Sequence, residues 1–276
     1  MPPGILYVVA TPIGNLADAG PRALETLRSA DIVACEDTRT TRTLLARHGI
    51  ERATLALHAH NERAASAKLL GELRAGRSVA LVSDAGTPGI SDPGALLVEA
   101  AHREGIRVVP IPGANAAIAA FSAAGFAADR FLFVGFLPPK PVARRKALEA
   151  LESACPVIFY EAPHRVREAL EDLRLRYGAE REVVIARELT KKFEEVARLP
   201  LGRASSWLDA QTHRERGEFV LVLGPAAAAA PALVEGDRAL DALLEVLPPS
   251  EAARLAARIS GVPRNTLYRR ALKRGK

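Results

Sequence analysis

Short apolar runs alternate with amphipathic stretches along most of this chain. Runs made almost wholly of apolar residues predict buried strands, and in the first half they fall at 5–10, 31–35, 54–58, 78–83, 107–111 and 131–134. Apolar residues at helical spacing predict helices between them, including 22–29, 41–48 and 64–74. Because buried strands that alternate with helices form parallel sheets with both faces covered, this half predicts a largely parallel α/β sheet.

A second set of elements follows a proline-rich segment. Its strands are predicted at 156–160, 182–186 and 219–223, with helices at 163–176 and 203–214. The segment between the two sets, 135–141 (GFLPPKP), is stiffened by proline and is a natural domain boundary. We therefore predict an α/β protein with four segments, which are an N-terminal α/β domain over 1–137, a second α/β domain over 138–224, a linker over 225–236 and a helical extension over 237–276.

The linker and the extension differ from the rest of the chain in composition. Five consecutive alanines at 226–230 lie between prolines, which favours a linker over a short helix. In the extension, Ser250 is a suitable N-cap for a helix over 251–259, and Gly261 separates this helix from one opened by Pro263. Helix, glycine turn and basic helix resemble a helix-turn-helix, and a small solvated helical cap is the alternative.

The net charge of +6 is concentrated in the extension. Residues 252–276 contain eight basic residues and no acid, which leaves the first 251 residues at −2. A basic helical segment without acids favours contact with the phosphates of a nucleic acid. The candidate RNA-binding residues of this segment are Arg264, Arg269, Arg270 and Lys273.

Composition argues against several classes of protein. No apolar run approaches the ~20 residues that cross a bilayer, and no basic signal segment precedes the first strand. We therefore expect a cytoplasmic protein without a membrane anchor. Cys35 and Cys155 lack the spacing of a metal site, so we predict buried free thiols and no bound metal. His58 and His60 look metal-like, but no third His or Cys lies near them in the sequence.

Three loops that follow predicted strands carry the candidate chemistry. The longest, 83–94 (SDAGTPGISDPG), combines three glycines and two prolines with two aspartates, which suits a polar ligand held against the backbone. The others are 11–15 (TPIGN) and 112–117 (PGANAA), and neither has the GxGxxG or Walker pattern of a nucleotide-binding loop. Loops at this end of parallel strands line ligand sites in open α/β sheets. A βα connection without a ligand is the alternative interpretation.

Nine motifs, taken in order, resemble one family. They are VATPIGNL at 9–16, CEDTR at 35–39, HAHNE at 58–62, the 83–94 loop, IPGAN at 111–115, GFLP at 135–138, FYEAPHR at 159–165, RELTKK at 187–192 and GEFV at 217–220. Together they resemble the rRNA-modifying branch of the tetrapyrrole methylase superfamily over residues 5–224, and the basic tail is similar to the C-terminal extension of that branch. Ser83-Asp84-Ala85 departs from the Gly-Asp-Pro of the wider superfamily and fits the rRNA branch better.

The resemblance implies a fold, a cofactor and a reaction. It implies two α/β domains with S-adenosylmethionine folded into the cleft between them, and a homodimer. Members of this branch methylate the ribose 2′-oxygen of a decoding-centre cytidine in small-subunit (16S) rRNA, within the small ribosomal subunit. Carried over by motif, the cofactor contacts are Pro12, Asp84, Thr87, Asn115 and Ala116, with Tyr160 and Leu189 from the second domain.

The base that removes the hydroxyl proton is expected among charged residues that follow the second-domain strands. The candidate catalytic residues are Glu161, His164 and Lys192. Our hypothesis is that Glu161 or His164 accepts the proton, while Arg165 and Lys192 hold flanking phosphates of the RNA. Ion pairs that orient a loop are the alternative interpretation of these residues.

One charged motif and two rival functions stay open. For residues 36–39 (EDTR) the interpretations are RNA binding, a dimer interface, or an Asp37 cap on the following helix.

A tetrapyrrole methyltransferase on the same scaffold is one rival function, and the basic tail counts against it. A non-catalytic ribosome-binding factor is the other, and cofactor binding without methyl transfer to RNA would favour it.

Overall fold

The computed structural model describes residues 2–151, 154–226 and 231–274. Two compact units are present, Met1–Pro225 and Ala226–Lys276. The first unit contains two five-stranded sheets, and the second is built from helices. Each unit has an apolar core of its own.

The first sheet is parallel throughout, as the sequence pattern predicts, with strand order β3-β2-β4-β1-β5. Both of its faces are covered by helices, because Leu6 and Leu81 belong to the core on one face while Val9 and Val33 belong to the core on the other. The elements are β1 (Ile5–Val9), α1 (Pro21–Ser29), β2 (Ile32–Cys35), α2 (Thr38–Arg47), β3 (Ala53–Ala56), α3 (Glu62–Arg74), β4 (Val79–Leu81), α4 (Ala95–Arg103) and β5 (Arg107–Ile111).

The second sheet is mixed, with strand order β6-β7-β10-β8-β9. Strands β6 and β7 are parallel, and the other neighbouring pairs are antiparallel. The elements are α5 (Ala116–Ala124), β6 (Leu132–Phe136), α6 (Pro141–Ala150), β7 (Val157–Glu161), α7 (Val166–Tyr177), β8 (Glu182–Arg187), β9 (Glu195–Pro200), α8 (Ala204–Asp209) and β10 (Phe219–Leu223).

The chain passes from the first sheet to the second earlier than the predicted boundary at 137/138. Strand β6 pairs with β7, and α5 packs on the second sheet through Ala117 and Ala120, which contact the core around Ile158 and Val220. Small alanine side chains let this helix lie close to the strands. The proline-rich segment that suggested the boundary instead connects β6 to α6 inside the second sheet's layer.

The apolar pattern of the sequence does not predict two details of the second sheet. Strand β9 lies at the sheet edge beside β8, where charged pairs such as Arg198 with Glu182, 2.6 Å apart, interrupt the apolar run. Helix α8 ends at Asp209, whereas the sequence predicts a helix to 214. Residues 211–216 form turns whose backbone carbonyls are used by other side chains, described below.

The second unit comprises α9 (Pro231–Leu244), α10 (Pro249–Ser260) and α11 (Arg264–Arg274) around a core that includes Leu240 and Leu267. Gly261 has φ +71° and ends α10, and the Ser260 hydroxyl donates to the Ala256 carbonyl 2.8 Å away. Helix α10 begins at Pro249, so Ser250 lies in its first turn rather than at the N-cap.

Helix α9 occupies 231–236, part of the predicted linker over 225–236. Alanines 227–230 lie outside the described residues. Among the residues that the structure describes, no helix is long and apolar enough to cross a membrane.

Candidate functional site

A cavity of about 400 Å³ lies in the first unit, between the loops of the two sheets. Loops at the carboxyl ends of the first sheet form one wall, and the ends of β7, β8 and β10 with their loops form the other. Its lining includes five predicted cofactor residues, which are Thr87, Asn115, Ala116, Tyr160 and Leu189. Pro12 and Asp84, the other two, line a separate depression of about 270 Å³ beside α2.

Backbone pairing holds the 83–94 loop in place. Thr11 N donates to the Gly86 carbonyl (2.8 Å) and Gly86 N donates to the Thr11 carbonyl (3.1 Å), which ties the 11–15 loop to the 83–94 loop. Gly86 has φ +95°, a conformation that favours glycine. At the far end of the loop, the Glu62 carboxylate accepts hydrogen bonds from Gly94 N (2.8 Å) and Leu96 N (3.2 Å) at the start of α4. The loop is therefore fixed at both ends before any ligand binds.

The start of α5 forms the next part of the wall. Asn115 caps the helix, because its Oδ1 accepts a hydrogen bond from Ile118 N at 3.2 Å. The Tyr160 hydroxyl oxygen accepts a hydrogen bond from Ala117 N, another amide in the first turn of the helix, at 3.2 Å. Burial raises the pKa of Tyr160. Its O–H hydrogen stays available to a ligand, since a phenol both accepts and donates. Thr87 Oγ1 donates to the Ala114 carbonyl at 3.1 Å and joins the long loop to this helix.

Three carboxylates line the cavity: Asp92, Glu161 and Glu218. Asp92 is half-buried, and burial together with the nearby carboxylates of Glu36 and Asp84 raises the pKa of Asp92 to about 6. Asp92 is not among the site residues that the sequence predicts. The available signal was its place in the second Ser-Asp pair of the 83–94 loop, but only the fold shows that the pair faces the cavity.

The predicted catalytic residues are separated by the structure. Glu161 lines the cavity but is 3% exposed, and its Oε1 lies 3.0 Å from Arg165 Nε and accepts the Ala162 amide at 2.8 Å. This is the loop-orienting ion pair of the alternative interpretation, and it also engages Arg165. His164 is exposed and is not part of the cavity lining, and Lys192 lines a separate groove.

Charged side chains hold the cavity wall that the second sheet provides. Arg187 is 3% exposed, and its guanidinium donates to the carbonyls of Arg216 (2.7 Å), Phe193 (3.0 Å) and His213 (3.0 Å). These bonds join the loop after β8, which carries Leu189, to the loop before β10, which carries Glu218. One buried side chain therefore positions two segments of the cavity.

Lys191 reinforces the same wall. Its Nζ lies 2.9 Å from Glu188 Oε1 and 2.8 Å from Glu218 Oε2. The two loop residues Glu188 and Thr190 have φ values of +50° and +66°, which non-glycine residues rarely adopt. This wall therefore combines backbone strain with a network of ion pairs.

The turn at 211–216 is also held from its other side. The Arg214 guanidinium stacks 4.3 Å from the centroid of the Trp207 ring, and its Nη1 donates to the Trp207 carbonyl at 2.9 Å. Its Nε donates to Glu195 on β9 at 2.8 Å. The turn is thus anchored to α8, to β9 and, through Arg187, to the end of β8.

The family of Tetrapyrrole (Corrin/Porphyrin) Methylases matches residues 5–205, and the RsmI C-terminal HTH domain matches residues 230–275. This chain belongs to the tetrapyrrole methylase family. The predicted fold, methyltransferase class and methyl donor, S-adenosylmethionine, are confirmed for the chain at the level of this family.

Similar proteins cover nearly all of the chain. Ribosomal RNA small subunit methyltransferase I of Xylella fastidiosa (strain Temecula1) is 52% identical over 268 residues, 96% of this chain and 98% of its own. The protein of the same name from Pseudomonas aeruginosa is 51% identical over 278 residues, 99% of each chain. The uroporphyrin-III-C-methyltransferase of Thermus thermophilus has a TM-score of 0.59 at 21% identity, covering 81% of this methylase and 95% of its own chain. That likeness concerns the fold alone.

The cavity of this methylase fits S-adenosylmethionine in size and chemistry. A volume of about 400 Å³ lies within the roughly 300–1,000 Å³ of small-molecule pockets. Its apolar lining, which includes Ile13 and Phe136, suits a nucleoside, and the Tyr160 hydroxyl keeps a donor for a polar group of the ligand. Within the described ranges, no group of three or more His, Cys, Asp or Glu side chains is arranged to hold a metal. Cys35 is a buried free thiol and Cys155 a half-buried one, which corrects the prediction that both are buried.

The predicted RNA-binding residues of the second unit are not equivalent. Arg264, Arg269 and Lys273 are exposed and have no carboxylate partner in the described part of the chain. Arg270 instead pairs with Asp237 on α9, so its charge is already compensated. The acid-free sequence after 251 hides this pairing, because the carboxylate comes from a helix earlier in the chain.

The EDTR motif begins α2. The Asp37 carboxylate accepts Arg39 N at 2.8 Å and lies 2.7 Å from Arg39 Nη2, and these hydrogen bonds lower the pKa of Asp37 to about 2. Asp37 N in turn donates to Asp84 Oδ1 at 2.9 Å. The capping interpretation of Asp37 is therefore confirmed, and Asp84 holds this loop in position.

Proposed function

We propose that this methylase transfers a methyl group from S-adenosylmethionine to the ribose 2′-oxygen of a decoding-centre cytidine in small-subunit (16S) rRNA. The observation that carries the proposal is the 51% identity to a ribosomal RNA small subunit methyltransferase I over 99% of both chains. The likeness includes the basic helical unit as well as the unit with the cavity. An activity on a small tetrapyrrole gives the exposed cations of α11 no role.

Asp92 is the side chain best suited to accept the hydroxyl proton. S-adenosylmethionine supplies the electrophilic methyl group when bound. The Asp92 carboxylate lines the cavity, has no cationic partner there, and is ionised above its pKa of about 6. Glu161, proposed as the base from the sequence, is engaged by Arg165, while His164 lies outside the cavity lining. A base with a pKa near the working pH is efficient because it is both available and strong enough to take the proton.

The other cavity residues position the reactants. Methyl transfer is an in-line displacement, so the protein must align the oxygen with the methyl group and exclude water. The Tyr160 hydroxyl and the start of α5 form a rigid polar corner, and Phe136 and Leu189 provide apolar cover. The strained loop after β8 holds Leu189 in this position.

The exposed cations Arg264, Arg269 and Lys273 are proposed to contact RNA phosphates. Phosphate contacts release counterions, so RNA binding should weaken steeply as salt rises. We further propose that the substrate is the assembled small subunit, that the methylase works as a homodimer, and that it acts in the cytoplasm. Light scattering of the purified protein tests the dimer.

One experiment tests the function directly. Labelled methyl from S-adenosylmethionine is offered to small ribosomal subunits, to naked small-subunit rRNA and to a tetrapyrrole precursor in parallel. We expect label on a ribose 2′-oxygen in the small-subunit reaction. Label on the tetrapyrrole alone would assign the small-molecule reaction, and cofactor binding without transfer to any RNA would indicate a non-catalytic ribosome-binding factor.

A further inference from the structure

A groove of about 830 Å³ adjoins the same two loops that form the cavity walls. We call it the basic groove, and its residues come from the loop after β1, the end of α2 and the loop after β8. They are Gly14, Asn15, Leu16, Ala17, Arg47, His48, Thr190, Lys191 and Lys192. None of the predicted cofactor residues lines it.

Two cations of the basic groove lack counterions. Lys191 is compensated by Glu188 and Glu218. Arg47 and Lys192 are exposed, and neither has a carboxylate within ion-pair distance in the part of the chain that the structure describes. The Lys192 ammonium lies 5.5 Å from the ring centroid of Phe193, a contact that does not neutralise it. The groove therefore presents uncompensated positive charge.

Two buried polar atoms in the groove residues also lack partners. His48 Nε2 and Thr190 Oγ1 are buried and make no hydrogen bond. Buried polar atoms are nearly always paired, so an unpaired one calls for an explanation. Thr190 is in addition β-branched with φ +66°, a strained conformation that clusters at ligand-binding segments. The exposed guanidinium and ammonium groups of the groove only donate hydrogen bonds, so the acceptor that fits them is an oxyanion.

The basic groove and the cavity are separated by a thin wall. Ile13 and Leu189 line the cavity, whereas their chain neighbours Gly14 and Thr190 line the groove. The two loops touch at this wall, since a Cβ on Gly14 would lie 2.6 Å from Lys191 Cγ and 2.9 Å from Thr190 Oγ1. A polymer with its reacting unit in the cavity would therefore place a neighbouring unit at the groove.

We propose that the basic groove binds backbone phosphates of the RNA strand whose target nucleotide enters the cavity. The proposal rests on the proposed function, because it assigns the polymer to that substrate. A nucleotide next to the target supplies the oxyanion at the required place. Arg47 and Lys192, the two exposed cations, each neutralise a phosphate charge. The groove holds the strand, while the cavity carries out the reaction.

The test compares two double variants with equal loss of charge. Arg47→Gln with Lys192→Gln removes both groove cations. Arg63→Gln with Lys68→Gln is the matched control, because both residues are exposed on α3 and line neither the cavity nor the groove. Methyl transfer to small ribosomal subunits is measured over a range of salt concentrations, and S-adenosylmethionine binding is measured by calorimetry. A labelled oligouridine provides a direct binding assay that does not depend on methyl transfer.

We expect the groove variant to bind RNA more weakly, with a higher KM and unchanged cofactor affinity. The slope of log affinity against log salt should fall by about 1.4, since each single-strand phosphate contact contributes about 0.7. An unchanged slope, or an equal change in the control, overturns the proposal. Loss of inorganic phosphate binding with unchanged oligouridine binding also overturns it, because the groove would then hold a free anion.

The two proposals fail in different ways. If the wild-type protein methylates no RNA, the proposed function fails whatever the groove variant does. If it methylates small subunits and both double variants behave alike, the function stands and the groove proposal fails. Methyl transfer by the wild-type protein tests the first outcome, and oligouridine binding by the two double variants tests the second.

Discussion

The two walls of the cavity are held by different means. On the first-sheet side, the 83–94 loop is fixed by backbone hydrogen bonds between Thr11 and Gly86 and by Glu62 at the start of α4. On the second-sheet side, the loops are fixed by the guanidinium of Arg187 and the ammonium of Lys191. A wall made of backbone bonds depends on glycine and proline, whereas a wall made of charges depends on a few long side chains. Single substitutions should therefore lower the free energy of unfolding far less in the first wall than in the second.

The largest expected effect is on the reaction itself, from the backbone-held wall. Asp92→Asn should lower kcat by about 10²–10⁴-fold, because it removes the proposed proton acceptor, while S-adenosylmethionine affinity changes little. Single-turnover methyl transfer and calorimetry measure the two quantities. Near-normal turnover in this variant would remove Asp92 from the mechanism.

The pH dependence sharpens this prediction. Asp92 must be ionised to accept a proton, so kcat/KM should rise with pH and level off above about 6, where the pKa of Asp92 lies. Glu36 is one of the carboxylates that raise this pKa, so Glu36→Gln should lower it and shift the rise to lower pH. A profile that stays in place in this variant would argue for another base.

The next largest effect is on stability, from the charge-held wall. Arg187→Met should lower the free energy of unfolding by about 3–5 kcal/mol, because it leaves three backbone carbonyls without their donor in a buried setting. Arg187→Lys keeps the positive charge but lacks the several N–H donors of the guanidinium. Its free energy of unfolding should therefore lie between those of Arg187→Met and the wild type. Urea unfolding measures both variants, and equal stability of wild type and methionine variant would contradict this account of the wall.

A smaller effect is expected where the two walls meet. Gly14→Ala places a methyl group against Lys191 and Thr190, so it should cost about 1–3 kcal/mol and raise the KM for RNA. Gly71→Ala is the control, because no atom lies near its added Cβ and it sits within α3, where alanine should stabilise by about 0.5–1 kcal/mol. Thermal unfolding should therefore move in opposite directions in the two variants.

The smallest effect is expected at the end of the backbone-held loop. Glu62→Ala removes the acceptor for two amides at the start of α4, which resembles the loss of a helix cap and should cost about 1 kcal/mol. Glu62→Gln keeps an acceptor oxygen and should cost less. If the alanine variant destabilises as much as Arg187→Met, the contrast between the walls is wrong.

The contrast also explains how much of the molecule the sequence predicts. The strands of the first sheet and the 83–94 loop are encoded locally, by apolar runs and by glycine and proline. The strand order, the early passage to the second sheet at α5 and the edge strand β9 depend on tertiary pairing, which no local pattern contains. Five of the predicted cofactor residues share one cavity because loops at the ends of strands converge there.

Individual charged residues are predicted less well. Glu161 and Arg270 look reactive or free in the sequence, but Arg165 and Asp237 compensate them in the fold. Asp92 looks like one more loop aspartate until Glu36 and Asp84 are seen beside it. A carboxylate acts as an ion-pair partner or as a base according to its neighbours, and these neighbours come from distant parts of the chain.

The stacking of Arg214 on Trp207 has a spectroscopic consequence. Trp207 is the single tryptophan of the chain, so intrinsic emission excited at the long-wavelength edge comes from this one ring. The ring reports on the turn at 211–216, which Arg187 connects to the loop bearing Leu189. The protein therefore contains an optical probe at the base of its charged wall, and titration with cofactor or RNA can be followed there without an added label.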